Sequence, residues 1–451
     1  MSLSLYEKYS KLLNCMKKFI VILLTIASVA LCLSTASCKK ENNPLFDKYP
    51  SIPKSELRTV SEVLTPEEFG AVGDGQTDDT EAVRLCFAKA EDQKSVCALT
   101  KTYLCSGKIR VYPNTYVYLS GTIKANISDT HGVSLQLFEY DGDNSGYKNR
   151  NITIEGGGTL DGRGADETER YNTLLRMGHG ENVVIRGITF KNAVRYHAME
   201  ITACRNVTVD ACKFEGIYAH NDCEYKDKPN HSVINAHEFI QIEELDEGGS
   251  GGMTPYDQTV PEDIVISNCE FGKGSGEFYK AIGDHGKRKY SYKNLTIKNN
   301  VFYASDLNDA FDLKTNESVN SIIGFYTAVD GLVISGNKFY DSKANAVCFS
   351  GNATIENNLF VNVYLSCITI LFDSKASIIG NEFSSYARRN DENGENYYCC
   401  IRAGNGKTDA TVVATITGNK FYNKSPVTNK YVQYVDKTVF RYEMSDNDFK
   451  N

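Results

Sequence analysis

Several absences narrow the reading of this 451-residue chain. None of its 14 cysteines forms a C-x-x-C pair, so a thiolate metal site is not expected. It has no leucine framework of short, regular repeats, which argues against a leucine-rich horseshoe. Its long apolar run, Phe19 to Leu33, is too short for a typical membrane span. Positive charge is not in excess either: the formal net charge is −8, and an acidic surface argues against nucleic acid as a partner. An acidic polysaccharide stays open, because a local cationic groove can outweigh distant charge.

What is present is a repeat. N-V-V-I-R-G-I-T-F from Asn182, N-V-T-V-D-A-C-K-F from Asn206, D-I-V-I-S-N-C-E-F from Asp263 and N-L-T-I-K-N-N-V-F from Asn294 each end on a Phe. The spacing continues through Phe339, Phe360, Phe383, Phe421 and Phe449, at intervals of 21 to 57 residues. Apolar residues at the second and fourth positions mark a strand, and the seventh position, Cys212 and Cys269 and then Asn300, Asn337, Asn358, Asn381, Asn419 and Asn447, marks a turn. Asn there suits left-handed backbone and can hydrogen-bond along a column. The pattern predicts an all-β solenoid, a single-stranded parallel β-helix with one rung per repeat.

A second apolar segment follows most rungs: H-A-M-E-I-T (197–202), E-F-I-Q-I-E (238–243), K-A-I-G-D-H (280–285), D-A-F-D-L-K (309–314), N-A-V-C-F-S (345–350) and S-C-I-T-I-L (366–371). Strand alternation sends Met199, Ile201, Ile240, Ile242, Ile282, Phe311, Leu313, Val347 and Phe349 inward, with Asp284 the exception. The outward set is Glu200, Gln241, Glu243, His285, Asp312 and Lys314, fading to Cys348, Ser350, Thr369 and Leu371. Rungs lie about 4.8 Å apart, so these polar side chains become neighbours.

Residues 16–38 have a basic start, the apolar run and small residues before Cys38, the pattern of a secretory signal. The expected organisation is a signal peptide over 1–37 with its true start at Met16, a tether over 38–62, an N-terminal cap segment over 63–100 and a β-helix over 101–451. Removing residues 1–37, with Lys8, Lys11, Lys17 and Lys18 against Glu7, takes the formal charge from −8 to −11. Cys86, Cys97 and Cys105 are candidates for one disulfide after export. Asp79 or Thr80 can cap a helix whose apolar face is Ala82, Val83, Cys86 and Phe87.

Three resemblances follow from these residues. T-A-S before Cys38 resembles a bacterial lipoprotein box, which implies lipidation of Cys38 and a place in the cell envelope, anchored in outer membrane or periplasm. E-E-F-G-A-V-G-D-G-Q-T-D-D-T (67–80) resembles the N-terminal signature of the pectate-lyase-like superfamily, which implies a right-handed parallel β-helix with a capping helix. N-I-T-I-E-G-G-G-T-L-D-G-R-G (151–164), N-V-V-I-R-G-I-T-F-K-N-A (182–193) and A-C-R-N-V-T-V (203–209) are similar in order and spacing to the first rungs of the polygalacturonase family of glycoside hydrolases. That family's N-T-D segment and Asp pair are missing from the later rungs, and G-H-G at 178–180 comes too early to carry a catalytic role onto His179.

Six of the seven histidines lie between 179 and 285. Insertions at 215–237 and 244–262 flank one outward strand and bring Tyr218, Tyr225 and Tyr256, which can stack on sugars. Glycoside hydrolysis needs a protonated carboxyl and a second carboxylate. Glu200, Glu243, Asp284 and Asp312 are the candidates, with clustering expected to raise a carboxyl pKa, and Glu243 with Asp284, partnered by His285, is the preferred set. Gln241, Lys287, Arg288, Lys314, His197 and Glu238 are the candidate substrate contacts. The alternative is a lyase that neutralises a uronate with Ca²⁺ or with Lys280, Lys287, Arg288 and Lys314, with His285 or a lysine as base. A third reading is a non-catalytic glycan-binding β-helix. Polysaccharide is the expected partner in all three, the membrane is reached through the Cys38 lipid, and no cofactor is required by the hydrolase.

Overall fold

A computed structural model describes residues 43–52, 54–57, 62–93, 95–127, 132–137, 146–166, 172–194, 196–218, 238–245, 257–272, 280–284, 289–304, 321–342, 345–386, 399–404, 409–422, 431–434 and 438–450. The chain falls into two units, Met1–Pro50 and Ser51–Asn451. In the first, a short helix, Pro44–Lys48, is capped by Asn43, whose Oδ1 accepts from the Leu45 amide at 2.9 Å. The segment expected to be a signal peptide, the candidate lipidation site Cys38, and residues 39–42, 53 and 58–61 of the expected tether lie outside the described residues.

The second unit is a right-handed parallel β-helix built from three sheets. The first sheet runs through Val63–Leu64, Val96–Leu99, Tyr116–Leu119, Asn149–Glu155, Gly180–Arg186, Arg205–Asp210, Glu262–Ser267 and Tyr292–Lys298, all paired in parallel. Parallel pairing therefore begins at Val63, ahead of residue 101, and the segment assigned to the cap already supplies coils of the helix. A second sheet contains Asn172–Gly178, Met199–Thr202, Glu238–Glu243 and Lys280–Gly283. Two long strands, Ser321–Ser335 and Asn345–Glu356, contribute to both sheets. The third sheet carries the phenylalanines, from Thr189–Val194 to Asp448–Lys450.

Two columns hold the rungs in register. Phe190, Phe214, Phe271, Phe302, Phe339, Phe360, Phe383, Phe421 and Phe449 stack face to face, with centroids 4.7 to 5.1 Å apart. Beside them runs an asparagine ladder. The Asn300 amide and Nδ2 both donate to Asn337 Oδ1, at 2.9 and 3.0 Å, and the arrangement repeats through Asn358, Asn381, Asn419 and Asn447. Each Nδ2 also reaches a carbonyl of the preceding rung, as Asn358 does to Ile334 at 2.9 Å. Every polar atom of these buried amides is thus matched, which a core position requires.

The left-handed residue of each turn differs from expectation. It is the sixth position, Asn268, Asn299, Gly336, Asn357 and Gly380, that has positive φ, and the ladder asparagines do not. The chain turns at the sixth residue so that the seventh can point its amide inward. Asn and Gly both adopt this φ, and at Gly336 a Cβ would lie 2.4 Å from Asn299 Oδ1, so a side chain there would have to displace that amide.

The N-terminal end is covered by the helix Thr80–Gln93, whose Val83, Cys86, Phe87 and Ala90 are fully buried. Asp79 precedes the helix, but its carboxylate accepts from the Val72 and Gly73 amides at 2.7 and 3.0 Å. The Thr80 amide is instead capped by Asp78 at 3.0 Å. The G-D-G-Q-T-D-D run therefore folds the loop that precedes the helix. Cys86, Cys97 and Cys105 are all free thiols.

One rung assignment is corrected. Between Lys280–Gly283 and Asn345–Glu356 the second sheet holds S-I-I-G-F, residues 321–325, and not D-A-F-D-L-K. The two segments share the same apolar alternation, so periodicity cannot separate them; the register of Ile323 with Ile282 and Val347 does. Residues 309–314, including Asp312 and Lys314, lie outside the described residues.

Candidate functional site

Each strand of the second sheet starts with two consecutive core residues, such as Phe239 and Ile240, before alternation sets in with Ile242. That irregularity leaves Glu238, Gln241 and Glu243 together on the outer side. Register extends the face across rungs: Arg176 lies opposite Glu200, Glu200 opposite Gln241, and Gln241 opposite Gly283. Glu238 lies opposite Lys280, and Thr202 opposite Glu243.

On this face ionisable groups are buried, which is unusual for the outside of a solenoid. Arg176, His197, Glu200, Glu238, Gln241, Glu243 and Lys280 are all under 5% exposed. Five of them form two matched groups. Arg176 grips Glu200 with Nε and Nη2, the latter at 2.9 Å, and Thr173 Oγ1 donates to the same carboxylate at 2.9 Å. Burial alone would raise the Glu200 pKa, but the guanidinium beside it wins and holds it down at about 2. In the second group Lys280 Nζ donates to Glu238 Oε1 at 2.6 Å and to the Asp284 carbonyl at 3.2 Å. His197 Nδ1 donates to the Glu238 carbonyl at 3.0 Å and lies 3.4 Å from its Oε2.

Lys280 reaches across because the outer position beside it is glycine. A Cβ on Gly283 would stand 2.8 Å from Lys280 Cδ, and the lysine stem takes that space. Its Nζ is 5.7 Å from the centre of the Tyr326 ring. Tyr326 and Thr327 are extra residues relative to the next rung, where Phe325 pairs with Phe349 and Ala328 with Ser350. Their amides would be orphaned by this bulge, and the Asp284 carboxylate accepts both, at 2.9 and 2.8 Å.

These placements correct the expected catalytic set. Gln241 is opposite Gly283, so Asp284 falls opposite Ile242 and faces the other side of the sheet from Glu243. Asp284 is fully buried and employed in holding the bulge; burial pushes its pKa up to about 6. Glu200 was expected to share a raised pKa with clustered carboxylates, and its guanidinium partner reverses the sign. His285, Lys287, Arg288, Asp312 and Lys314 lie outside the described residues, as do Tyr225 and Tyr256. Glu200, Gln241 and Glu243 are brought to one face as the alternation predicts, and the doubled core residues at the strand starts add Glu238 and His197, which strict alternation would have sent inward.

Sequence reasoning missed Arg176 and Tyr326. Arg176 precedes Glu200 by 24 residues, the same interval that separates Phe190 from Phe214, so the repeat length could have found it. Tyr326 carries no such signal, because the bulge breaks the period.

No family model matches the chain. It is 29% identical over 331 residues to the plasmin and fibronectin-binding protein A of Streptococcus pneumoniae, a match covering 68% of this chain and 43% of that protein. It is 22% identical over 363 residues to a capsule K30/K69-specific depolymerase of Klebsiella phage K5-2, covering 79% and 41%. The chain thus spans well under half the length of either relative. Among solved structures, PfbA, a surface adhesin of S. pneumoniae, superposes with a TM-score of 0.66 at 20% identity, covering 86% of this chain and 92% of that one. ORF18 of Geobacillus virus E2 superposes with a TM-score of 0.53 at 13% identity, covering 85% and 61%. These likenesses agree with the β-helix fold.

Proposed function

We propose that this chain is an extracytoplasmic, lipid-anchored β-helix protein that engages polysaccharide on the outer face of its second sheet and hydrolyses it there. The observation that carries the reading is the buried ionic cluster of Arg176 with Glu200 and of His197 with Glu238 and Lys280. A solenoid's outer face ordinarily meets water, and concentrating desolvated charge on consecutive rungs costs stability that a binding or catalytic surface offsets by function.

Hydrolysis assigns two roles. Glu200, held at about 2, is a carboxylate at any working pH and suits the group that activates water or supports positive charge on the sugar. Glu243 is the proposed proton donor. It lies on the next rung from Glu200 and two residues along from Gln241, the position opposite Glu200, a backbone separation of about 8 Å, room for a water and a glycosidic bond. Gln241 lies between them and can orient a sugar hydroxyl. Asp284 becomes a positioning residue, which sets the bulge that carries Tyr326. His285, Lys287 and Arg288, which follow Lys280–Gly283 directly in the chain, are retained as proposed contacts of the same face; Asp312 and Lys314 lose that basis with the rung now assigned to residues 321–325.

The lyase alternative needs positive charge for a uronate carboxylate. Arg176 and Lys280 are each engaged by a glutamate, so that reading rests on Lys287, Arg288 and Lys314. The same internal pairing favours one other reading, a surface that binds glycan or host protein without cleaving it. One relative's name denotes a capsule depolymerase and the other's a binding protein, so both readings have support.

Incubating the mature chain with plant, algal, capsular and host polysaccharides separates the three. New reducing ends without ultraviolet absorbance are the predicted result. Reducing ends with absorbance mean β-elimination, and retention on a glycan without product means binding alone.

A further inference from the structure

The cap helix Thr80–Gln93 and the first complete coil carry a pair of thiols. Cys86 lies on the helix's buried stripe. Cys97 lies in the first-sheet column Leu64, Cys97, Val117 and Ile154, where its neighbours are aliphatic. Their Sγ atoms are 3.5 Å apart, and Cys97 Sγ is also 3.5 Å from the Cys86 carbonyl. Both residues are fully buried.

We propose that Cys86 and Cys97 are the site of a disulfide that locks the cap onto the solenoid, with Cys105 left as a thiol. The reaction is exchange with a low-molecular-weight disulfide. Each cysteine sulfur gives up its proton and one electron, one Cys86–Cys97 bond forms, and the oxidant's S–S bond breaks to two thiols. The 3.5 Å between the two sulfurs closes to a bond of about 2.05 Å.

The environment also sets when the bridge forms. Exchange proceeds through thiolate, and burial together with the neighbouring Cys86 pushes the Cys97 thiol well up. Oxidation is therefore fast while the cap is open, during folding, and slow once it has packed. The consequence is mechanical. A solenoid frays from its ends, and a covalent tie between cap and first coil raises the free energy of that first opening.

The test is refolding of the chain with glutathione disulfide or with reduced glutathione, followed by alkylation and digestion without reduction. The expected result is a Cys86–Cys97 linked peptide in the oxidised sample alone, retained in Cys105→Ser. Amide exchange over residues 80–90 should be slower by at least about tenfold in the bridged form. Alkylation of both cysteines in the oxidised sample, a bridge through Cys105, or unchanged exchange in a bridged protein would each overturn the proposal.

Discussion

At the residue scale, two buried acids pull stability in opposite directions with pH. Glu200 titrates at about 2 in the folded chain, below its ordinary 4.5, so its contribution of roughly 3 kcal/mol is present above pH 4.5 and lost as pH falls towards 2. Asp284 titrates at about 6, above its ordinary 3.8, so its buried charge costs about 3 kcal/mol at neutral pH, relieved as pH falls from 6 to 4. The thermal midpoint should rise from pH 7 to about 5 and fall below about 4. In Asp284→Asn the rise between pH 6 and 4 should disappear, and a rise that survives would remove Asp284 as its source. Glu200→Gln should destabilise by about 3–5 kcal/mol in urea, because it leaves Arg176 buried beside a neutral group. A loss under 1 kcal/mol would mean the pair is hydrated.

At the element scale the asparagine ladder and the phenylalanine column specify register, and both were legible because each recurs at a fixed place in the repeat. Asn358→Ala leaves the Asn337 amide and Nδ2 without their acceptor and Ile334 O without its donor. It should cost about 2–4 kcal/mol in urea unfolding, clearly more than Asn447→Ala at the partly exposed end of the column. Equal costs would show that the ladder is incidental to stability. What sequence could not supply was the assignment of D-A-F-D-L-K against S-I-I-G-F, since alternation is shared and only pairing with neighbours decides. The same limit applies to the site. Glu200, Gln241 and Glu243 follow from counting along a strand, whereas the Tyr326–Thr327 bulge has no periodic signature. The pairing of Glu243 with Asp284 failed because fifth and sixth positions face opposite sides of a sheet.

At the scale of the whole molecule, a capped solenoid presents one chemically distinct face along a long, otherwise repetitive surface. Lipidation at Cys38 would hold that face near the cell envelope on the proline-containing tether of residues 39–60. Labelled fatty acid should enter the wild-type chain in bacterial cells and be lost in Cys38→Ala, with the variant released to the soluble fraction. Incorporation that persists in the variant would place the anchor elsewhere.

The most direct measurement is reducing-end release from a cleaved polysaccharide by Glu243→Gln, compared with wild type at matched unfolding midpoints. Glycoside hydrolysis on this face predicts a loss of about a hundredfold or more in rate with glycan retention preserved. Wild-type rates in the variant would contradict Glu243 as proton donor and the placement of the reaction on the second sheet.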